Sequence, residues 1–179
     1  MLKITIPAIE KWDEKNEVFV NFDSQELKLE HSLVSISKWE AKWHKPFLSK
    51  EQKSYEEIID YIRCMTISQN INPDYYNYLS DKNVEEINAY INDPMTATTI
   101  NTEQKGKQEI ITSEIIYYWM IAFNIPVDFQ KWHINRLLTL IRICDIKNDT
   151  NQKKMPKSEI LARNRALNEA RRKRYNTRG

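Results

Sequence analysis

Apolar and polar residues alternate along the first thirty positions. Leu2, Ile4 and Ile6 oppose Lys3 and Thr5; Val18, Val20 and Phe22 oppose Glu17 and Asn21; Leu27 and Leu29 oppose Lys28 and Glu30. A period of two is that of a half-buried strand, and Asp23-Ser24 is a turn signal. The pattern predicts a small antiparallel sheet of two or three strands with one polar face. So few strands are marginal alone, so the apolar face must rest on helices or on a partner chain.

From Ser32 onward the period becomes helical. A first helix is predicted over about Ser32 to His44, with Leu33, Ile36, Trp39 or Glu40, and Trp43 along one side and Pro46 as its stop. A second starts at Ser54, where Ser54 and Glu57 make a capping box, and carries Tyr55, Ile58, Ile59, Ile62 and Met65 at the spacing of a buried face. Asn72-Pro73 opens a short helix through Leu79, and another runs from Asp81 to Ile91 with Val84, Ile87 and Ile91 inward.

Residues 92–109, "NDPMTATTINTEQKGKQE", are polar and contain Gly106, which predicts a loop. Thr112 or Ser113 then caps "SEIIYYWMIAF", the most apolar helix of the chain, and Asn124 to Pro126 breaks it. A further helix carries Trp132, Ile134, Leu137, Leu138, Ile141 and Cys144. The expected core centres on Ile116, Trp119, Met120, Phe123, Leu137, Leu138 and Ile141, where these two helices pack together. A last helix, about Pro156 to Tyr175, has Ile160, Leu161 and Leu167 as its only large aliphatic residues, too thin a stripe for a core helix.

The expected fold is therefore mainly α, of the α+β class. Its parts are a sheet over 1–31 packed on the helical body, a helical core over 32–148 and a basic helical arm over 149–179. The size, 179 residues with 41% hydrophobic positions, suits a globular core. Charge is divided along the chain. Residues 147–179 hold 11 Lys+Arg against 3 Asp+Glu, net +8, and the preceding part holds 16 against 22, net −6. An acidic body with a basic arm implies either a contact with an acidic partner or a solvated helix that keeps the protein dispersed. Cys64 and Cys144 lie in apolar helical patterns and are expected as free thiols in a reducing compartment. Met1 to Ile6 does not read as a secretory leader and no run approaches a membrane span, so a soluble intracellular protein is expected.

Chemistry is not written into the chain. Two glycines cannot build a glycine-rich phosphate cradle, and His31, His44 and His133 have no metal-ligand spacing. Neither thiol has an activating neighbour, and the Glu56-Glu57 and Glu85-Glu86 pairs fall near helix starts, where they complement the dipole. No catalytic residue, cofactor or metal is expected, and the protein is read as a non-enzyme.

Two surfaces remain. In "SISKWEAKWHKPFLS" Trp39, Trp43 and Phe47 recur every four residues among Lys38, Lys42 and Lys45. Such a stripe is either core packing or a groove for a partner helix. The second is the arm, where Arg163, Arg165, Arg171, Arg172, Lys173, Arg174 and Arg178 suit an acidic protein partner or, less well for want of a recognition fold, nucleic-acid phosphates.

The blocks "SLVSISKWEAKWHKPFL", "NDPMTATTI", "ITSEIIYYWMIAFNIP", "FQKWHINRLLTLIRICDIKN" and "KKMPKSEILARNRALNEARRKR" resemble, in that order, tail assembly chaperones and tail-region proteins of long-tailed bacteriophages. The resemblance spans about residue 31 to the end. It implies a non-enzymatic helper that holds the helical tape-measure protein, or another tail protein, in the cytoplasm of the infected host. The alternative it leaves is a structural component retained in the virion tail or baseplate.

Overall fold

The computed structural model describes residues 1–14, 17–100, 110–148 and 157–175. Half of the expected 92–109 loop (101–109), the 149–156 linker and Arg178 lie outside the described residues, as do the side chains of Asp13, 157–160 and Arg163. Four strands, β1 (Leu2–Ile6), β2 (Ile9–Asp13), β3 (Val18–Phe22) and β4 (Gln25–Leu29), precede helices α1 (Leu33–Trp43), α2 (Tyr55–Met65), α3 (Asp81–Asn92), α4 (Ser113–Ala122), α5 (Ile134–Asn148) and α6 (Lys157–Tyr175). Short 3-10 helices fill Pro73–Tyr78 and Val127–Lys131. Helices predominate among the described residues beside a small antiparallel β part, and the fold is α+β. It forms two compact units, Met1–Cys144 and Asp145–Gly179, so the strands and the helical body belong to one unit.

The strands form two antiparallel pairs rather than one sheet of two or three strands. β1 pairs with β4 and β2 with β3. The register runs unshifted from Leu2↔Leu29 through Ile6↔Gln25 and Ile9↔Phe22 to Asp13↔Val18, so the pairs are the proximal and distal halves of one long ribbon. Pro7 sits at the interruption, where it has no N–H for a ladder bond. The buried side changes across this break. Ile4, Ile6, Leu27 and Leu29 are buried in the proximal half, whereas in the distal half Ile9, on the opposite face of the register, packs partly buried against the core and its partner Phe22 is half-buried. Phe22 meets Tyr75 and Tyr78 at ring separations of 5.6 and 5.3 Å, and the Tyr75 hydroxyl donates to the Asp23 carbonyl at 3.0 Å.

The proximal half is covered on both edges. The end of α2 follows β4, with Glu30 N–H donating to the Met65 carbonyl and Ile67 N–H to that of Lys28. α3 lies along β1, and the Asn83 amide donates to the Thr5 carbonyl at 3.3 Å. Ser32, Ser54 and Ser80 start α1, α2 and α3, each in a reciprocal capping box. His44, left-handed at φ 53°, ends α1 just ahead of Pro46.

The core is centred elsewhere than the apolar periodicity indicates. Its fully buried side chains are Ile6, Leu27 and Leu29 of the ribbon, Leu33, Ile36 and Trp39 of α1, Met65 of α2, Ile116 of α4, and Ile134 and Leu137 of α5. Met120 and Ile141 are also buried, but Trp119, Phe123 and Leu138 are only partly so. The reason is the packing partner: α4 rests on α1 rather than on α5. Two other expected faces are rotated, since Tyr55, Ile58 and Val84 stand exposed. No helix among the described residues is long and apolar enough to cross a membrane.

The two sites should separate in urea unfolding. Leu29→Ala empties a fully buried site and should cost about 2–5 kcal/mol, whereas Trp119→Ala, at the core margin, should cost less despite removing a larger side chain. The opposite order would restore α4 as the centre of the core.

Candidate interaction site

The aromatic segment packs between α1 and α2. Trp39 is 1% exposed and its indole N–H donates to the Glu57 carbonyl at 2.9 Å. Trp43 is half-buried, stacked on Trp39, and donates to Asp60 Oδ2 at 2.9 Å. Phe47 stacks on Tyr61 at 3.9 Å and meets Trp39 edge-on at 5.2 Å. The lysines are engaged as well. Lys42 pairs with Asp60 and Lys45 with Glu57, the latter at 2.6 Å, and the Lys45 contact holds the Glu57 carboxyl below its usual range. Lys38 is exposed and forms no ion pair among the described residues. A groove for a partner helix built from all six residues is thus corrected by burial: Trp39 has no face to offer, and two of the three cations already have carboxylates.

Glu40, which the helical spacing offered as an alternative to Trp39 on the packed side, is buried together with it and has partners that the spacing did not announce. It is 8% exposed, and its two carboxylate oxygens accept the Phe47 N–H at 2.8 Å and the Ser113 N–H at 2.7 Å. Thr112 occupies the N-cap of α4 without a side-chain capping bond. The cap comes instead from a residue 73 positions earlier. Such a tertiary cap satisfies an orphan N–H and complements the helix dipole.

Beside this lies a buried polar cluster. His31 Nδ1 is 2.5 Å from the Tyr61 hydroxyl, and the His31 ring is 4.9 Å from that of His133. His133 precedes α5, donates from Nε2 to the Tyr90 carbonyl at 2.9 Å and accepts the Asn135 N–H at Nδ1. With one ring nitrogen donating and the other accepting, these bonds suit a neutral His133 imidazole. Burial, with His133 as a second cause, pushes the pKa of His31 down to about 3, and burial also lowers that of His133. Every buried side-chain nitrogen and oxygen among the described residues has a hydrogen-bond partner. No group of three or more metal-ligating side chains converges among them.

Besides Tyr55 and Ile58 of α2, Val84 of α3 and the isolated Ile67, Met95 and Ile110, exposed apolar side chains lie in three further places among the described residues. On α4, Tyr118 is 66% and Ile121 76% exposed, one helical turn apart, and Val127 follows at 68%. Glu114 is the only charged residue of that helix. A helix apolar nearly all round, yet buried on one side only, leaves an uncovered face. Tyr117 ties α4 to the following 3-10 helix through Gln130 at 3.0 Å. There Phe129 and Trp132 stack at 3.9 Å and the Arg136 guanidinium lies 3.9 Å over Trp132. The second place is the distal ribbon, where Trp12 and Phe19 form an exposed edge-on pair at 4.8 Å beside Val18 and Val20. The third is α6, described by itself: Arg165, Arg171, Arg172, Lys173 and Arg174 are exposed, as are Leu161 and Leu167. Neither the face of α4 nor the distal ribbon was singled out by the sequence. The near-absence of charge from 110 to 127 was the available signal.

No family model, curated protein or solved structure matches this chain.

The histidine cluster predicts acid sensitivity. The unfolded chain takes up a proton on His31 near the ordinary value of 6.5, while the folded chain resists until about pH 3. Its contribution to stability is therefore complete above 6.5 and lost progressively as pH falls through that window. At pH 5 the loss from His31 should be about 2 kcal/mol relative to pH 7.5. Urea unfolding at the two pH values measures it, and His31→Asn should flatten the difference. An equally steep decline in the variant would place the proton uptake on another group.

Proposed function

We propose that the protein is a non-enzymatic tail assembly chaperone of a long-tailed bacteriophage, which holds the tape-measure protein during tail morphogenesis in the host cytoplasm. One observation carries the reading: the exposed, nearly uncharged face of α4, where Tyr118 and Ile121 stand a turn apart with Val127 beyond. An amphipathic client helix can bury its apolar stripe on such a face, and the aromatic and aliphatic anchors there supply most of the affinity. The ordered blocks that resemble tail assembly chaperones support the same reading, because α4 lies within them. In this arrangement Trp39, Trp43 and Phe47 act behind the binding face, stiffening α1, on which α4 rests. The basic residues of α6 serve as a second, salt-sensitive contact to acidic side chains of the client.

Replacing Tyr118 and Ile121 by Glu separates binding from folding, since both side chains are largely outside the core. The variant should melt as the wild type does and lose client affinity by about thirtyfold or more, equivalent to about 2 kcal/mol. The readout is the soluble fraction of co-expressed tape-measure protein. A normally folded variant that keeps its client soluble would remove α4 as the grip.

The exposed strands of the distal ribbon favour a second reading, a structural component that joins a neighbouring tail protein. Mass spectrometry of purified virions decides between them. A chaperone should be present in the lysate and missing from the particle; stoichiometric recovery in the particle would establish the structural role.

A further inference from the structure

The distal half of the ribbon keeps backbone uncovered where the proximal half does not. β4 is followed by the end of α2 and β1 by α3. Among the described residues β2 and β3 pair only with each other, so each has one strand edge without a ladder partner there. The two edges differ in chemistry. β2 reads Ile-Glu-Lys-Trp-Asp, with Glu10 and Lys11 exposed, and charges on an edge discourage further pairing. β3 reads Val-Phe-Val-Asn-Phe, has no charge, and exposes Val18, Phe19 and Val20. Four of its five residues are β-branched or aromatic, the types that favour strands.

We propose that β3 is a self-association edge, pairing antiparallel with β3 of a second copy of this chain about a two-fold axis at Val20. The result is a four-stranded sheet, β2–β3 of one protomer continued by β3–β2 of its partner. Val18 then stands opposite the partner's Phe22, Phe19 opposite the partner's Asn21, and Val20 opposite its own symmetry mate. Within β3 itself no charge meets a like charge; the like-charged Glu17 and the partner's Asp23 come opposite only beyond the two ends of the paired strands. The same operation on β2 would set Lys11 against Lys11, so self-complementarity belongs to β3 alone. The charged outer edges of β2 then end the sheet, which closes the assembly at two instead of extending it into a filament. A two-stranded ribbon is marginal in water, and two further strands supply what it lacks. The inference does not depend on the α4 reading, because dimerisation is measured without a client.

Sedimentation equilibrium of the full chain tests it, together with two variants. The wild type should dimerise at micromolar concentration. Val20→Lys places two ammonium groups at the axis and should raise the dimer dissociation constant about tenfold or more, with the melting transition unchanged. Val20→Cys should cross-link to a dimer under mild oxidant faster than the wild type, whose own thiols are Cys64 and Cys144, and faster than Lys11→Cys on the charged edge. A wild type that stays monomeric at the highest attainable concentration overturns the proposal. So does a Val20→Lys protein that dimerises normally, or a Lys11→Cys protein that cross-links as fast as Val20→Cys. Should Val20→Lys misfold, the cysteine pair alone decides. If the edge instead takes an extended segment of another tail protein, the wild type is monomeric alone, and the proposal fails.

Discussion

A single buried carboxylate organises the helical body. Glu40 accepts the backbone N–H of Phe47 with one oxygen and that of Ser113 with the other. It therefore joins the last turn of α1 to the turn that follows α1 and to the first residue of α4. Leaving a buried N–H unpaired costs about 1–3 kcal/mol, and here two would be orphaned together. A carboxylate withdrawn from water must itself be satisfied by hydrogen bonds. Donor and acceptor thus require each other, and this mutual need sets where α4 begins.

The placement of α4 determines which surfaces are left over. Held at its N-terminus by Glu40 and seated on α1, the helix buries Ser113, Ile116 and Met120 and turns Tyr118 and Ile121 outward. The opposite side of the same economy appears in the aromatic segment, where the tryptophans and their lysines are engaged with α2. Trp39 and Trp43 each direct an indole N–H to an acceptor on α2, one a carbonyl and one a carboxylate. A ring so fixed stiffens the scaffold but presents little to a partner. The molecule separates its large apolar side chains into a set that defines the fold and a smaller exposed set on α4 and the distal ribbon.

Local signals were largely legible. Ser54 with Glu57, Pro46, Asn72-Pro73 and the break at Asn124 to Pro126 marked helix limits that the structure keeps within a residue or two. They are legible because caps and stops involve backbone groups only a few residues apart. The strand at Ile9–Asp13 was missed because three of its five residues are charged, Glu10, Lys11 and Asp13, leaving no apolar alternation to detect. Its pairing is dictated by the ribbon register, which is a property of two segments together.

What the sequence determined alone was therefore the identity of the elements other than β2, the division of charge and the lack of any motif for chemistry. Tertiary structure decided which apolar face each helix buries. Tyr55, Ile58 and Val84 have the right spacing for burial but face water, whereas Ser35, Glu40 and Ser113 are polar and lie inside. Hydrophobic burial is not directional, so a helix with more apolar surface than one neighbour can cover has several faces of nearly equal merit. Directional bonds choose among them. Here the choice was made by Glu40 reaching across 73 residues to the start of α4, a contact that no local pattern encodes.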